Sequence, residues 1–252
     1  MKHLLLGLLV LLNITACTFT PKTIEKGNAR KQLVNKDLIC AKQIDILPIS
    51  INGEKPPQEA FNLSMKKVKK YTTSNLVVHN MVDLLIKEDD VNDFIQAYGS
   101  SRRGFNYLEA TGKTNLLNAL KTFPKNGTGI VMIYTPRLKC SWNPKRNLRG
   151  LAFGYNPDYN VVVYNKTNID KAPVISDTQA WKIVLTHEIG HRFKVPANKS
   201  HNDQNHCTHR ECIMYARPDW RAVLSVLGHG MPYDFCDACK AELKEAKESC
   251  KE

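Results

Sequence analysis

Hydrophobic and polar residues recur along the chain with two different spacings, which predicts both strands and helices. Short runs of branched and aromatic apolar residues predict strands at 130–135, 148–154 and 161–165, and a looser alternation over 38–50 predicts the start of another. Apolar residues three and four positions apart predict helices at 57–71, 106–123 and 177–193, the second of them despite an internal glycine. The apolar run 76–86 is interpreted as strand in part. This order of elements predicts an α/β (α+β) fold, in which helices back a mixed, twisted sheet.

The helix predicted at 177–193 has a defined start and a packing face. Ser176 and Gln179 have the spacing of a capping box, in which each side chain bonds a free backbone N–H at the start of a helix. The apolar face is expected to pack against the sheet. Its members are Trp181, Val184 and Leu185.

Charge and length limit the classes of protein that remain. The 252 residues include 36 Lys and Arg against 24 Asp and Glu, a net charge of +12. The basic residues are scattered, and no aromatic–basic alternation accompanies them, so a solvated surface is expected and nucleic acid is not an expected partner. The length is enough for one domain or two closely packed subdomains.

The N-terminus predicts export. Met1, Lys2 and His3 form a short basic start, the apolar stretch 4–12 is too brief to span a bilayer, and Ile14–Thr15–Ala16–Cys17 resembles a bacterial lipobox. On this interpretation residues 1–16 are removed and Cys17 carries lipid. An ordinary signal peptide with a coincidental cysteine is the alternative.

The same interpretation predicts the organisation of the chain. Residues 17–37 are a polar tether, and residues 38–252 are the folded domain. Loss of Lys2 with the leader would lower the net charge from +12 to +11. The expected location is the bacterial cell envelope, with the membrane as a partner through lipid at Cys17.

The sequence His187-Glu188-Ile189-Gly190-His191 predicts a metal site. Two histidines four residues apart lie on one face of a helix, where both can bind one zinc ion. Glu188 lies beside the first histidine without being needed as a ligand, which is the position of a general base. The pattern predicts hydrolysis of a peptide bond.

Downstream, His206-Cys207, Cys212-Ile213-Met214 and a C-x-x-C pair follow in order. With the histidine motif, this series resembles the archaemetzincin branch of the metzincin metallopeptidases. The resemblance covers most of the chain after about residue 38. It implies that His206 is the third zinc ligand and that Met214 forms the turn beneath the metal.

The resemblance also implies an architecture and a mechanism. An upper subdomain at 38–193 would end in the active-site helix, and a small irregular lower subdomain would occupy 194–252. A zinc-bound water would attack the peptide, with Glu188 as general base. The strand at 148–154 is a candidate edge strand that pairs with extended substrate, although an interior strand is equally compatible with its sequence.

The loop between His191 and His206 departs from the family pattern. Lys194 stands where the family has glycine, and Ala197 stands at the family's third-histidine position. Fourteen residues now separate the two histidines, and Pro196 among them is expected to end the helix near Val195. A polar loop of this length can bulge outward while its ends stay close. The competing third ligands are His201, His209 and Glu211.

The remaining cysteines predict a second metal site. The resemblance implies that four of them hold a structural zinc ion: Cys207, Cys212, Cys236 and Cys239. Because an exported protein meets an oxidising environment, disulfides among the same residues remain an alternative. Three cysteines are left over, of which at most two can pair, and the sequence does not say which: Cys40, Cys140 and Cys250.

The sequence thus predicts a zinc metallopeptidase with one catalytic and one structural zinc ion and a peptide or protein substrate. A second hypothesis is an inactive zinc-binding envelope lipoprotein that acts as a binding or scaffold module, which the altered ligand loop would suit. A third is a peptidase that uses Glu211 as its third ligand.

Overall fold

A mixed sheet of six strands forms the centre of the computed structural model, which describes residues 33–87, 90–98, 110–137, 149–153, 159–170, 175–216 and 233–251. Strand β1 has β2 and β3 on one side and β4 on the other, followed by β6 and then β5 at the far end. All neighbours are parallel except β5, which runs antiparallel to β6. The strands are β1 (Gln43–Ile51), β2 (Asn75–Val78), β3 (Val82–Leu84), β4 (Ile130–Thr135), β5 (Gly150–Phe153) and β6 (Asn160–Asn165).

The central strands are buried on both faces. All six residues of β4 are buried, as are all of β1 except its first residue. Parallel strands need crossover connections, and helices in those connections cover both faces of the sheet, so the strand sequences are apolar throughout. The helices are α1 (Lys36–Ile39), α2 (Gln58–Lys70), α3 (Val91–Tyr98), α4 (Thr114–Thr122), α5 (Lys166–Ile169), α6 (Asp177–Arg192) and α7 (Asp237–Glu248).

The two faces of the sheet carry separate hydrophobic cores. One core packs α2, α6 and α7 against the sheet, with Tyr134, Tyr164 and Trp181 at its centre. The Trp181 indole N–H donates to Asp170 at 3.0 Å, so this large side chain is buried with its polar atom bonded. The other core packs α3 and α4 on the opposite face. The predicted packing face of α6 is confirmed, since Trp181, Val184 and Leu185 are all buried.

Helix α6 begins and ends on hydrogen-bonded caps. The Ser176 hydroxyl accepts from the Gln179 N–H at 3.4 Å, as the capping box predicts. At the other end the Lys194 N–H donates to the His191 carbonyl, and the Val195 N–H donates to the Gly190 carbonyl. These two bonds form a Schellman motif. The helix therefore ends at Arg192, earlier than predicted from Pro196, and Lys194 takes a left-handed φ of 57°.

Two predicted elements are wrong at their starts. Leu38 and Ile39 belong to helix α1 rather than to the first part of a strand, because the Asn35 side chain accepts from the Leu38 N–H and caps the turn. Asn35 also donates through its side chain to the Arg192 carbonyl, so it is part of the fold although it falls in the predicted tether. The helix predicted at 106–123 is interrupted: Ala110 is helical, Gly112 has a φ of 67°, and a new helix begins at Thr114. Residues 99–109 lie outside the described ranges.

The C-terminal segment is small and irregular, as expected. It contains a two-stranded hairpin, β7 (Asn202–Asp203) and β8 (His206–Cys207), and then α7 with a short 3₁₀ helix, Ser249–Lys251. A disulfide between Cys40 and Cys250 ties its end to the start of the domain. The predicted fold class, a mixed α/β sheet with helices and a C-terminal cysteine cluster, is confirmed.

Several predicted features lie outside the described residues. These are the leader at 1–16, the tether up to residue 32, Cys17 and Cys140. Within the described ranges, no helix is both long enough and apolar enough to cross a bilayer.

Candidate active site

Three histidines from two elements meet at one end of α6. His187 and His191 lie on successive turns of the helix, and His206 lies on β8. Their ring centroids are 4.7 to 5.4 Å apart, and one nitrogen of each ring lies within 4.8 Å of the others. All three side chains are buried. The structure therefore brings together the three imidazoles predicted as ligands.

Hydrogen bonds turn two of these rings so that their Nε2 atoms face the cluster. His187 Nδ1 lies 2.7 Å from the Ile213 carbonyl, and His206 Nδ1 lies 3.1 Å from the Gln204 carbonyl. A carbonyl only accepts, so in both rings Nδ1 carries the proton and Nε2 has a free lone pair. Burial lowers the pKa of His187 to about 3 and lowers the pKa of His191 and His206 as well, which keeps the rings neutral.

This arrangement fits a divalent metal ion. The Nε2 atoms of His187 and His191 are 3.1 Å apart, and His206 Nε2 is buried without a hydrogen-bond partner among the described residues. Three buried imidazole nitrogens this close together can bind one cation, which takes up the lone pairs that no donor satisfies. Two tetrahedral zinc ligands at about 2.1 Å from the ion would be about 3.4 Å apart, close to the observed separation.

Glu188 lies beside this cluster and packs against the edge strand. A Cβ atom built on Gly150 of β5 would approach Cγ and Cδ of Glu188 to 2.7 Å and its Oε1 more closely still, so only glycine permits this contact. Burial raises the pKa of Glu188 to about 8, although the Arg192 guanidinium one turn along the helix opposes the increase. A carboxyl group with such a pKa can both take up and release a proton near neutral pH.

Met214 lies against the helix turn between the two histidines. It is fully buried, and a Cβ on Gly190 would collide with its sulfur and come within 3.2 Å of its methyl group. The Met214 carbonyl accepts from the Cys207 N–H at 2.9 Å. Met214 therefore joins the floor of the cluster to β8, the strand that carries His206.

The lengthened loop forms a hairpin rather than a structureless bulge. Asn202 pairs with Cys207 and Asp203 pairs with His206, so the turn consists of Gln204 and Asn205 alone. Both turn residues have positive φ, 50° and 67°, which is the requirement of a type I′ turn. This hairpin carries His206 to the cluster.

The other candidate ligands lie elsewhere. His201 is buried but contacts Glu242, with 3.4 Å between Nε2 and Oε1, and His209 and Glu211 are exposed. Among the described residues, none of these three belongs to the group formed by His187, His191 and His206.

The four clustered cysteines form a second candidate metal centre. Their sulfur atoms lie within 4.8 Å of one another, with 3.6 Å from Cys207 to Cys236 and from Cys212 to Cys239. All four are free thiols, whereas Cys40 and Cys250 are bonded. Four thiolates about 2.3 Å from a tetrahedral zinc ion would be about 3.8 Å apart, so the spacing fits metal.

The neighbouring thiols shift one another's pKa. They lower the pKa of Cys207 and raise the pKa of Cys212 and Cys239. Two backbone N–H groups also point at sulfur, from His209 to Cys207 at 3.4 Å and from Cys236 to Cys212 at 3.3 Å. Donors directed at sulfur suit thiolate ligands.

Strand β5 is the last strand of the sheet within the described ranges, where it pairs with β6 alone, and it contacts α6. The last strand of a sheet can offer its outer backbone groups to an added strand. Residues 148 and 154, the ends of the predicted strand, lie outside the described residues.

Three groups that shape the site are not indicated by any pattern in the sequence. They are Gly150, the Ile213 carbonyl and Glu242. Glu242 accepts from two backbone N–H groups in the lengthened loop between His191 and His206, called the inserted loop below. Each acts through a contact between residues far apart in the chain. Local spacing along the chain therefore does not indicate them.

Comparison with known proteins finds similarity among solved structures. No family model and no curated protein matches the chain. Metalloproteinase-II from Bacteroides fragilis is 12% identical with a TM-score of 0.47, and the match covers 81% of this chain and 53% of that one. Archaemetzincin from Methanopyrus kandleri is 17% identical with a TM-score of 0.42, covering 82% and 97%. Archaemetzincin from Archaeoglobus fulgidus, complexed with malonate, is 13% identical with a TM-score of 0.35, covering 79% and 99%. The chain thus spans about half the length of the first structure.

Proposed function

We propose that the protein is a zinc-dependent metallopeptidase of the archaemetzincin type. One observation carries the proposal: three buried, neutral imidazoles converge beside a buried glutamate whose pKa is raised to about 8. Neutral imidazole is a preferred zinc ligand, and three protein ligands are typical of catalytic zinc sites. The residues that would hold the ion are His187, His191 and His206. Zinc bound there supplies Lewis acidity, which polarises a carbonyl group and makes water more acidic.

Glu188 moves the proton in this proposal. Its position next to His187 allows it to accept a proton from the attacking water and then donate it to the departing amine. Gly150 keeps the carboxylate against the edge strand. The Ile213 and Gln204 carbonyls fix the orientation of the His187 and His206 rings, so that the Nε2 lone pair of each ring stays directed at the metal position.

The edge strand β5 would hold the substrate. An extended peptide can add to a free sheet edge through backbone hydrogen bonds, which recognise the main chain rather than particular side chains. Because Gly150 of this strand contacts Glu188, a peptide paired along β5 would pass next to the general base. The class of substrate expected is therefore an extended peptide or an unfolded segment of a protein.

Replacement of Glu188 by Gln tests the enzyme. We expect cleavage of a peptide library, followed by mass spectrometry in the presence of zinc, to fall at least about 100-fold while bound zinc is retained. The matched control is Glu245→Gln, the same change at an exposed position away from both metal centres. If neither the unaltered protein nor the control cleaves any peptide, the scaffold hypothesis replaces the enzyme.

Zinc content tests the third ligand. His206→Ala should lose the metal of the histidine site, and Glu211→Ala should keep it, because Glu211 lies outside the cluster. The opposite pattern would assign the third ligand to Glu211.

We also propose that the four cysteines bind a structural zinc ion and that the protein is exported and lipid-anchored at Cys17. The spacing of the sulfur atoms supports the first, and the Cys40–Cys250 disulfide supports export, since such bonds form in oxidising compartments. Labelling of cells with a fatty acid should mark the unaltered protein and leave Cys17→Ala unmarked. Absence of label from both would remove the anchor from the proposal.

A further inference from the structure

Glu242 is a largely buried carboxylate on α7 that faces the inserted loop. Its side chain is 13% exposed, and both oxygens accept backbone hydrogen bonds, from Ala197 N–H at 2.9 Å and from Asn198 N–H at 2.7 Å. His201 Nε2 lies a further 3.4 Å from one oxygen. A charged acceptor with these partners is worth more than a neutral hydrogen bond, so Glu242 holds this end of the loop firmly.

The residues held by Glu242 lead directly to His206. The Asn198 carbonyl accepts from the His201 N–H, and the His201 carbonyl accepts from the Thr208 N–H at 3.0 Å. The hairpin between these residues carries His206 opposite Asp203. A chain of backbone bonds therefore connects Glu242 to both ends of the hairpin that presents the third imidazole.

Helix α7 gives Glu242 a fixed base. Leu243 and Cys239 are buried in the core, Cys239 belongs to the cysteine cluster, and the disulfide at Cys250 follows the end of the helix. Precise metal sites depend on groups outside the ligands that keep those ligands in place. A ligand on a lengthened loop needs such support more than one on a helix, because the loop has more conformations to lose.

We propose that Glu242 is a positioning residue for His206, which it keeps within reach of the metal by holding the start of the inserted loop. The proposal rests on the assignment of His206 as a ligand of the histidine site. It adds a residue from α7 to that site and explains how a ligand beyond a lengthened loop returns to a defined place.

Cobalt binding to the full chain tests the proposal without an activity assay. Bound at the cysteine cluster, Co²⁺ gives an intense sulfur-to-metal absorption that reports this site alone. The rest of the bound cobalt, measured by metal analysis in equilibrium dialysis, reports the histidine site. We expect Glu242→Gln to weaken cobalt binding at the histidine site by roughly tenfold or more and to leave the cysteine site unchanged. Glu245→Gln, an exposed position on the same helix, should change neither.

A second variant separates positioning from a general loss of stability. In a His206→Ala background, where His187 and His191 keep a weak but measurable cobalt affinity, Glu242→Gln should not weaken that residual affinity further, because the residue it positions is gone. If Glu242→Gln does not fold, Glu242→Asp, which keeps the charge and shortens the side chain, should show the same pattern with a smaller loss.

Three results would overturn the inference. They are unchanged affinity in Glu242→Gln, an undiminished loss in the His206→Ala background, and equal weakening of both sites. If His206→Ala binds cobalt like the unaltered protein, the ligand assignment fails and the inference fails with it. If the cobalt pattern is as expected but no peptide is cleaved, the peptidase proposal fails while the role of Glu242 stands.

Discussion

Single residues decide how closely the parts of the site approach one another. Gly150 allows the edge strand to touch Glu188, and Gly190 allows Met214 to lie against the helix between the two histidines. A methyl group at either position would occupy space that a neighbouring side chain already fills. These positions are sensitive to the smallest possible substitution because protein interiors have little free volume.

Gly150→Ala should displace Glu188. We expect a loss of about 1–3 kcal/mol in the free energy of unfolding from overpacking, together with a fall in kcat while zinc content is retained. In a Glu188→Ala background the added methyl group has room, so the same substitution should cost little stability. Denaturant unfolding of the four proteins measures this coupling, and equal losses in both backgrounds would show that Gly150 does not act on Glu188.

Lys194 takes a conformation that favours glycine. Its φ of 57° completes the Schellman motif at the end of α6, and a side chain with a Cβ is strained there. Lys194→Gly should therefore raise the free energy of unfolding by about 0.5–1 kcal/mol. Lys199→Gly, at an exposed position without a positive φ, should lower it or leave it unchanged. Urea denaturation that shows equal losses for both variants would contradict this expectation.

At the scale of elements, one segment supports both candidate metal centres. Cys207 follows His206, and Cys212 precedes Ile213, whose carbonyl orients His187. The Cys207 N–H donates to the Met214 carbonyl, so the two ends of the segment are joined to each other. Whatever fixes the cysteines therefore also fixes atoms that hold two of the three histidines.

This dependence should be unequal. Cys239→Ser should lose metal from the cysteine cluster and also weaken binding at the histidine site, because Cys207 and Cys212 no longer hold the segment. His187→Ala should lose only the histidine metal, since no cysteine depends on that ring. Metal analysis after dialysis checks both variants. A Cys239→Ser protein with full metal at the histidine site would show that the two centres are independent.

At the scale of the whole molecule, the start and the end of the domain are linked. The disulfide joins residues 210 positions apart, and helices α1 and α7, which it connects, pack on each other. Asn35, just before α1, donates its side-chain amide to the Arg192 carbonyl and its backbone N–H to the Phe193 carbonyl, at the end of α6. The start of the described domain thus lies close to the end of α6.

Removal of the disulfide should destabilise the fold without removing metal ligands. We expect Cys40→Ser to lower the free energy of unfolding by about 2–4 kcal/mol, because a long loop regains its freedom in the unfolded chain. Cys250→Ser should show the same loss, and the double variant should show no more than either. Additive losses in guanidinium unfolding would mean that the two cysteines act separately.

Features that depend on local spacing were predictable. Two histidines four apart share a helix face in any fold, and apolar runs form buried strands wherever helices cover both faces of a sheet. The capping box at Ser176 and the packing face of α6 follow from periodicity in the same way. The starts of α1 and α4 were not recovered, since a cap at Asn35 and a left-handed glycine at 112 outweigh the apolar pattern around them.

By itself the sequence determined the two histidines and the glutamate of α6, because their spacing extends over only a few residues, and the mixed α/β class, because it follows from the order of the elements. The grouping of the four cysteines followed from the family resemblance. Only the tertiary structure decided that His206 rather than His201 joins the cluster, that Cys40 pairs with Cys250, and that Gly150 lies against Glu188. Each of these depends on packing between elements far apart in the chain. Sequence spacing does not contain that information, since many arrangements of loops satisfy the same order of residues.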